Sequence, residues 1–326
     1  MVSTQTSEIP RKQFRGVFTY ATLPATSLLN DFAYASDTGL LYRWDGSAWT
    51  PITNTSGGIG IFGDGSDGDV TVAGVTTLTR DMYYNNLTIN AGCYIITANF
   101  RIFVKSTFTN NGTVMDIAAA NKNGTSGAGG GGGGVSWAAG TLGSGSDGGN
   151  SNVNGNNKTV SLGGNGGAGG RTLTNPPNTG GVATAPVATI DLPRSLPFAI
   201  LAKDNTDLIQ GGASGAGGVV EDSTGGGGGS GGGVSVIAAR IIVNNGVFQC
   251  DGGNGGAGED TIGGANGSGG GGGGGGGLLI SIYNTASWTT ETANGGTGGA
   301  GGVGISTTGD PGAAGTAGTV IKISGI

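Results

Sequence analysis

Acidic side chains supply the few places in this sequence where chemically useful groups gather. Asp64, Asp67 and Asp69 fall within Asp64-Gly65-Ser66-Asp67-Gly68-Asp69, a density of hard oxygen ligands that could hold a cation. Asp-Gly pairs are also common turn chemistry, and the turn is the favoured reading. Residues 255–263, GGAGEDTIG, match the calcium nonapeptide G-G-x-G-x-D-x-U-x with Asp260 in the acidic position. Calcium in such a site sits between successive turns, so it needs tandem copies. No second Asp-bearing copy is found, and Asp260 is expected in a solvated loop. Two adjacent acidic pairs, Glu221-Asp222 and Glu259-Asp260, raise the question of glycoside hydrolysis. Neighbouring carboxylates rarely reach the facing separation of ~5 Å or more that this chemistry needs, so both pairs read as exposed charge.

Other chemistries are excluded more firmly. Histidine is absent, which removes the commonest general base, the serine and cysteine triads, and every His-containing zinc site. Cys93 and Cys250 are too few for a disulfide framework or a four-Cys site and read as small buried hydrophobes. Patterns of the type G-x-G-x-x-G recur only because glycine is so abundant, and no G-x-x-x-x-G-K-[ST] exists. The expectation is a protein without enzymatic activity or cofactor, acting through shape and surface. An acidic balance of −6 with pI about 4.5, and no basic cluster beyond Arg11, Lys12 and Arg15, argues against nucleic acid as a partner. No apolar run long enough for membrane insertion is present, and the N-terminal sequence lacks the apolar stretch of an export signal.

The elements that must position any site follow from composition. Glycine supplies 77 of 326 residues and proline 9, a level normally seen in low-complexity chains. Charged residues are only 10%, whereas disordered chains tend to be strongly charged, so the glycine is expected to be folded. Runs such as residues 129–134 and 269–277 break the three-residue phase of collagen. The chain divides into three parts. Residues 1–56 form a small N-terminal β module: Leu40-Leu41-Tyr42-Arg43-Trp44, an Asp45-Gly46 turn and Trp49-Thr50-Pro51 read as a hairpin, with residues 32–35 as a third strand. Trp44 and Trp49 are expected in its core rather than stacked on sugar. Residues 57–124 carry short strands at 69–72, 86–90, 101–105 and 107–109, punctuated by Ala91-Gly92 and Asn110-Asn111-Gly112 turns. Closely spaced strands of this kind suit a β-helix, with a sandwich as competitor.

Residues 125–326 form a glycine-rich repeat body. GGNGGAG at 163–169 recurs unchanged at 252–258 and with one substitution, GGTGGAG, at 295–301. Asn244-Asn245-Gly246 echoes Asn110-Asn111-Gly112, and Gly233-Val234-Ser235-Val236 echoes Gly134-Val135-Ser136-Trp137. The spacing is irregular, so insertions at 150–158, 172–184 and 221–224 must leave the framework as exposed loops. A glycine run in the polyproline-II conformation rises ~3.1 Å per residue without internal hydrogen bonds. Side-chain-free segments of that kind can pack laterally and exchange backbone hydrogen bonds.

On these glycine segments the chain resembles the tail-fibre adhesins of T-even-like bacteriophages, whose glycine-rich motifs form packed polyglycine-II helices carrying receptor-binding loops. The Trp-bearing hairpin at residues 40–52 resembles hairpins near the N-termini of phage virion fibre proteins. Apolar strands between the glycine segments, at 234–237, 240–243, 278–282 and 319–323, depart from a pure glycine sandwich and suggest a mixed body. The expected fold is thus all-β: a small β module, then a β-helix-like body with packed polyglycine-II-like segments. The resemblance implies a virion surface fibre or adhesin that docks by its N-terminal module on other virion proteins. Its loops would bind a host cell-surface glycan or outer-membrane protein, and the assembly would be a homotrimer. A decoration protein without receptor role and a polysaccharide-degrading spike are the alternatives.

Overall fold

A computed structural model describes residues 14–27, 31–35, 40–44, 46–51, 61–117, 119–136, 142–157, 161, 163–172, 176–182, 211–219, 223–261 and 266–324. The protein is all-β, and its one α-helix among the described residues is the four-residue α1 (Ala119–Lys122). At the N-terminal end β1 (Phe14–Phe18), β2 (Phe32–Ala35), β3 (Leu40–Trp44) and β4 (Trp49–Pro51) form a four-stranded sheet in that order. β3 and β4 are the expected hairpin, with Trp44 opposite Trp49 and their rings 5.5 Å apart, edge to face. Gly46 takes φ 103° in its turn, a conformation that favours glycine. Asp45 lies outside the described residues. Trp44 is buried, while Trp49 is half-buried and donates its indole N–H to the Pro24 carbonyl at 2.7 Å. The expected three-stranded sheet gains β1, which joins β2 in parallel. Gly16 at the centre of β1 weakens its strand signal in the sequence.

Two further sheets contain only parallel pairs. The larger contains β5 (Asp69–Val72), β8 (Asn86–Ile89), β10 (Ile102–Asn110), β12 (Val234–Asn244), β14 (Leu278–Ser287) and β16 (Thr319–Ser324), in that order. β7 (Met82–Tyr84) pairs with the first half of β10. The smaller contains β6 (Val75–Thr77), β9 (Tyr94–Ile96), β11 (Thr113–Met115), β13 (Val247–Gln249) and β15 (Thr290–Thr292). The chain therefore passes from a strand of one sheet through a tight turn to a strand of the other, and in both sheets the strands are paired in parallel. These sheets run from residue 69 to residue 324, across residues 124 and 125. The two strands expected at 101–105 and 107–109 are one, β10, with a register shift between Val104 and Thr107 against β12.

The echoed turns are the same turn in consecutive rounds. Asn110 pairs in register with Asn244 and donates its side-chain N–H to the Asn244 Oδ1 at 2.8 Å, and Asn245 donates likewise to Asn111 at 2.9 Å. Gly246 sits so close to the turn beneath that a Cβ there would lie 2.0 Å from the Gly112 carbonyl oxygen. Between the sheets Leu87, Ile95, Phe108, Val114, Ile242, Phe248 and Cys250 form one apolar cluster. Phe103, Val234, Val236, Leu278, Ile280 and Ile282 belong to a second. Val234 through Ala239 are all buried. Strands covered on both faces lose polar alternation, and this produces the uninterrupted apolar runs of the sequence.

Candidate functional site

Three times the chain leaves the sheets for glycine-rich excursions: between β11 and β12, between β13 and β14, and between β15 and β16. The run 269–277 shows how their segments associate. Its amides donate in rotation to three neighbours. Gly269, Gly272 and Gly275 donate to Val219, Ala216 and Ala213 (3.1, 2.8 and 2.8 Å), and Gly270, Gly273 and Gly276 to Asp310, Ala313 and Thr316 (3.0, 2.9 and 2.9 Å). Gly271, Gly274 and Gly277 donate to Gly256, Gly253 and Cys250 (2.8, 2.8 and 2.7 Å). Its carbonyls accept with the same period of three. Gly226, Gly229 and Gly232 donate to Gly269, Gly272 and Gly275; Gly170, Gly167 and Gly164 to Gly270, Gly273 and Gly276; and Gly299 and Gly296 to Gly271 and Gly274. Six segments thus surround one run, and every amide of the run is satisfied laterally.

Glycine is needed here because a side chain has nowhere to go. A Cβ on Gly273, Gly274 or Gly275 would lie 2.0, 1.9 or 2.0 Å from the carbonyl oxygen of Gly296, Ser230 or Gly164, each on a different neighbour. None of residues 269–277 has a positive φ, so backbone freedom is not the reason. Residues 211–219 and 225–233 are likewise buried throughout. Their few non-glycine residues are Ala213, Ser214, Ala216, Val219 and Ser230.

The repeated heptad encodes a place at the edge of this array. In 252–258, Gly253 and Gly256 face the central run and are buried, while Asn254 and Ala257 are exposed. The remaining glycines, Gly252, Gly255 and Gly258, donate to the carbonyls of Asn294, Thr297 and Ala300, each at 2.8 Å. Two glycines per triplet therefore mark two packed faces and one open one. Residues 309–318 retain glycine at every third position, Gly309, Gly312, Gly315 and Gly318, and expose Pro311, Ala314 and Ala317. The open-face residues cap amides that lack a neighbouring segment. Asn123 accepts from the Asn254 N–H (2.8 Å), Asp251 from Asn294 (2.7 Å), Asn254 from Thr297 (2.9 Å), and Asp260 from Val303 (2.7 Å).

Among the described residues, one end of the array carries turns at 127–131, 151–153 and 302–309, beside the segment ends at 171–172, 176–178, 219, 223–224, 259–261 and 266–267. Bonds such as Gly127 to Ala257, Ser151 to Gly131, Asn152 to Gly218, Gly269 to Val219 and Asp310 to Arg171 hold this end together. Bonds at the opposite end, including Gly277 to Cys250 and Gly318 to Ala293, join the segments where they meet the strands. The turn-bearing end is the candidate functional surface. Arg171 pairs with Asp310 at 2.6 Å, and Glu259 accepts from the Thr224 N–H at 3.0 Å. Gly130 and Gly131 take φ 90° and 58° in their turn. Val303 and Ile305 are 57% and 74% exposed, and these two apolar side chains on a turn are the feature that composition could not single out.

Of the loops expected from sequence, those at 150–158 and 172–184 are in large part array in their described residues. Asn154 and Asn157 accept the Thr179 and Val182 amides, and Gly181 donates to Ser214, so 153–157 and 178–182 are array segments. Asparagine and threonine in these stretches suggested exposed insertions, but they occupy open faces of edge segments. Glu221 and Asp222 lie outside the described residues.

Each of the four candidate metal ligands has a partner within the fold. Asp64 accepts from the Ser66 N–H, which holds its carboxyl below the usual range. Asp67 takes both terminal nitrogens of Arg80 and the Tyr83 N–H, and the Arg80 hydrogen bond lowers its pKa most. Asp69 accepts from the side chains of Asn85 and Asn86, which lower it too. Asp260 is far along the array. Among the described residues these carboxylates do not converge with one another into a metal-binding group. Cys250 is buried and burial pushes its thiol pKa up, whereas Cys93 is half-exposed, so only the first is the buried hydrophobe expected.

Known protein families, curated proteins and solved structures give no match to this chain.

Proposed function

We propose that the protein is a phage virion surface adhesin, with the paired parallel sheets as a β-helix and the glycine segments as a polyglycine-II lattice. The observation that carries this reading is the gathering, among the described residues, of the turns at 127–131, 151–153 and 302–309 at the end of the array away from the strands. An array without side chains has little chemistry of its own. Its use is to hold loops in fixed relative positions, since each segment is bonded along its length to several others. The sequence resemblance to tail-fibre adhesins supplies the biological setting, and the N-terminal sheet the docking module.

In this reading the turn end meets the bacterial envelope, and Val303 and Ile305 contribute the apolar contact that a protein or lipid-rich receptor surface offers. Fluorescently labelled protein should bind whole cells of a susceptible strain, and Val303→Asp with Ile305→Asp should reduce binding at least tenfold without changing the melting temperature. Equal binding by the double variant would remove the turn end from receptor recognition. Antibodies against the chain that fail to decorate any virion would remove the adhesin reading itself.

A further inference from the structure

The other end of the array holds a second feature. Where β13 and β15 hand the chain over to glycine, a cleft of about 300 Å³ opens between the first array segment and the two edge segments above it, within the ~300–1,000 Å³ of small-molecule sites. Asn123, Gln249, Asp251, Asn254 and Asn294 line it, with Lys122 beneath. Four of these are carboxamides. Among the described residues, the side chains of Gln249 and Asn294 make no hydrogen bond. Asn123 and Asn254 use their oxygens to cap array amides and keep their NH₂ groups for another partner.

The one cation of the cleft is already paired, and its carboxylate is already hydrogen-bonded. Lys122 is buried, is paired with the buried Asp116, and donates to the Asp251 carbonyl at 2.6 Å. The Asp251 carboxylate accepts the Asn294 N–H at 2.7 Å and the Thr292 hydroxyl at 3.1 Å. An anionic ligand would find no uncommitted cation here, and a metal ion would find one carboxylate. A carboxamide both donates and accepts, and so does a hydroxyl, so rows of carboxamides suit a ligand dense in neutral hydroxyls. Ile117, also in the lining, gives an apolar wall for the C–H face of a ring.

We infer that this cleft binds a neutral glycan unit, separately from the turn end. Saturation-transfer NMR with a panel of neutral glucose-, galactose-, mannose- and N-acetylglucosamine-containing disaccharides should show binding by the full-length protein. Gln249→Ala with Asn294→Ala should raise Kd for the bound sugar at least tenfold, and the melting temperature should stay within the range of ordinary surface variants, because neither carboxamide bonds to another described residue. Val303→Asp with Ile305→Asp should leave sugar binding unchanged, which separates this site from the receptor reading. Absence of binding across the panel, a Kd unaffected by the carboxamide substitutions, or selective binding of sulfated or sialylated sugars instead would overturn the inference.

Discussion

The sheets and the glycine array solve the same packing problem with opposite materials. In the sheets Phe108 and Phe248 stack at 5.5 Å and fill the space between layers. In the array the space between segments has been removed, and backbone meets backbone. Side chains stabilise the first region by burying apolar area, at roughly 25 cal/mol per Å². The second gains almost nothing from that source and relies on lateral backbone hydrogen bonds while losing more backbone entropy per residue. The comparison teaches where each region is vulnerable: one to the loss of atoms, the other to their addition.

The largest effect should come from adding atoms to the array. Gly274→Val places a Cβ 1.9 Å from the Ser230 oxygen and 2.4 Å from its carbon, neither of which can rotate away. Three buried segments would have to separate, and the expected cost exceeds ~5 kcal/mol, comparable with the stability of a whole domain. Limited proteolysis should then cut within 211–233 and 267–277. An unchanged melting temperature and digestion pattern would show the array to be a loose linker region instead.

Removing atoms from the sheets should come next. Phe248 is fully buried, stacks on Phe108 and meets Trp288 edge-on at 6.0 Å. Phe248→Ala should cost ~3–5 kcal/mol through lost transfer energy and the cavity left behind. Calorimetry that found no loss would mean that the space between the sheets collapses as freely as a surface.

Open faces of the array should be the mildest places to mutate. Asn254→Ala removes the acceptor for the Thr297 amide, which water can partly replace, so a cost of ~0.5–1.5 kcal/mol is expected. Thr297→Ala, whose exposed side chain caps no amide, should stay within ~0.5 kcal/mol. If both variants cost the same in urea titrations, capping by the open-face residue is not part of the design.

The triplet rule explains how much was legible in the sequence. GGxGGAG is visible as a repeat because an edge segment needs the same two of three positions empty wherever it occurs. Which segments touch was hidden, since 269–277 meets partners from residue 164 to residue 316 and glycine has no side chain to specify them. The long strands were readable from apolar runs, while β6, β9, β11, β13 and β15, three residues each, are too short to show a period. Asp64, Asp67 and Asp69 were conspicuous as a cluster, yet the meaning of Asp67 and Asp69 depended on Arg80, Asn85 and Asn86, 13 to 17 residues further along the chain. The turn end was least legible, because nothing local shows that turns as far apart in sequence as 127–131 and 302–309 share one end.

Acid should separate the two regions by the smallest effect. The central run 269–277 is joined to its neighbours by neutral backbone bonds, whereas the strands nearest the start of the sheets are tied by Asp67, which holds both Arg80 and the Tyr83 amide. Arg80 keeps the Asp67 carboxyl below its ordinary value. A depressed folded-state pKa contributes stability that is fully present above the unfolded value of ~3.9 and is lost as pH falls through the folded value. Arg80 is 55% exposed, so solvent screens the pair and the contribution is modest. Between pH 5 and 8 the melting temperatures of the native protein and Asp67→Asn should differ by a constant amount, and the difference should shrink below pH 4. Hydrogen exchange in acid should then accelerate at Asp67 and Tyr83, beyond the intrinsic effect of pH, before it does at residues 270–276. Simultaneous loosening of both would show that the sheets and the array open as one cooperative unit, and the contrast between them would be one of composition rather than of stability.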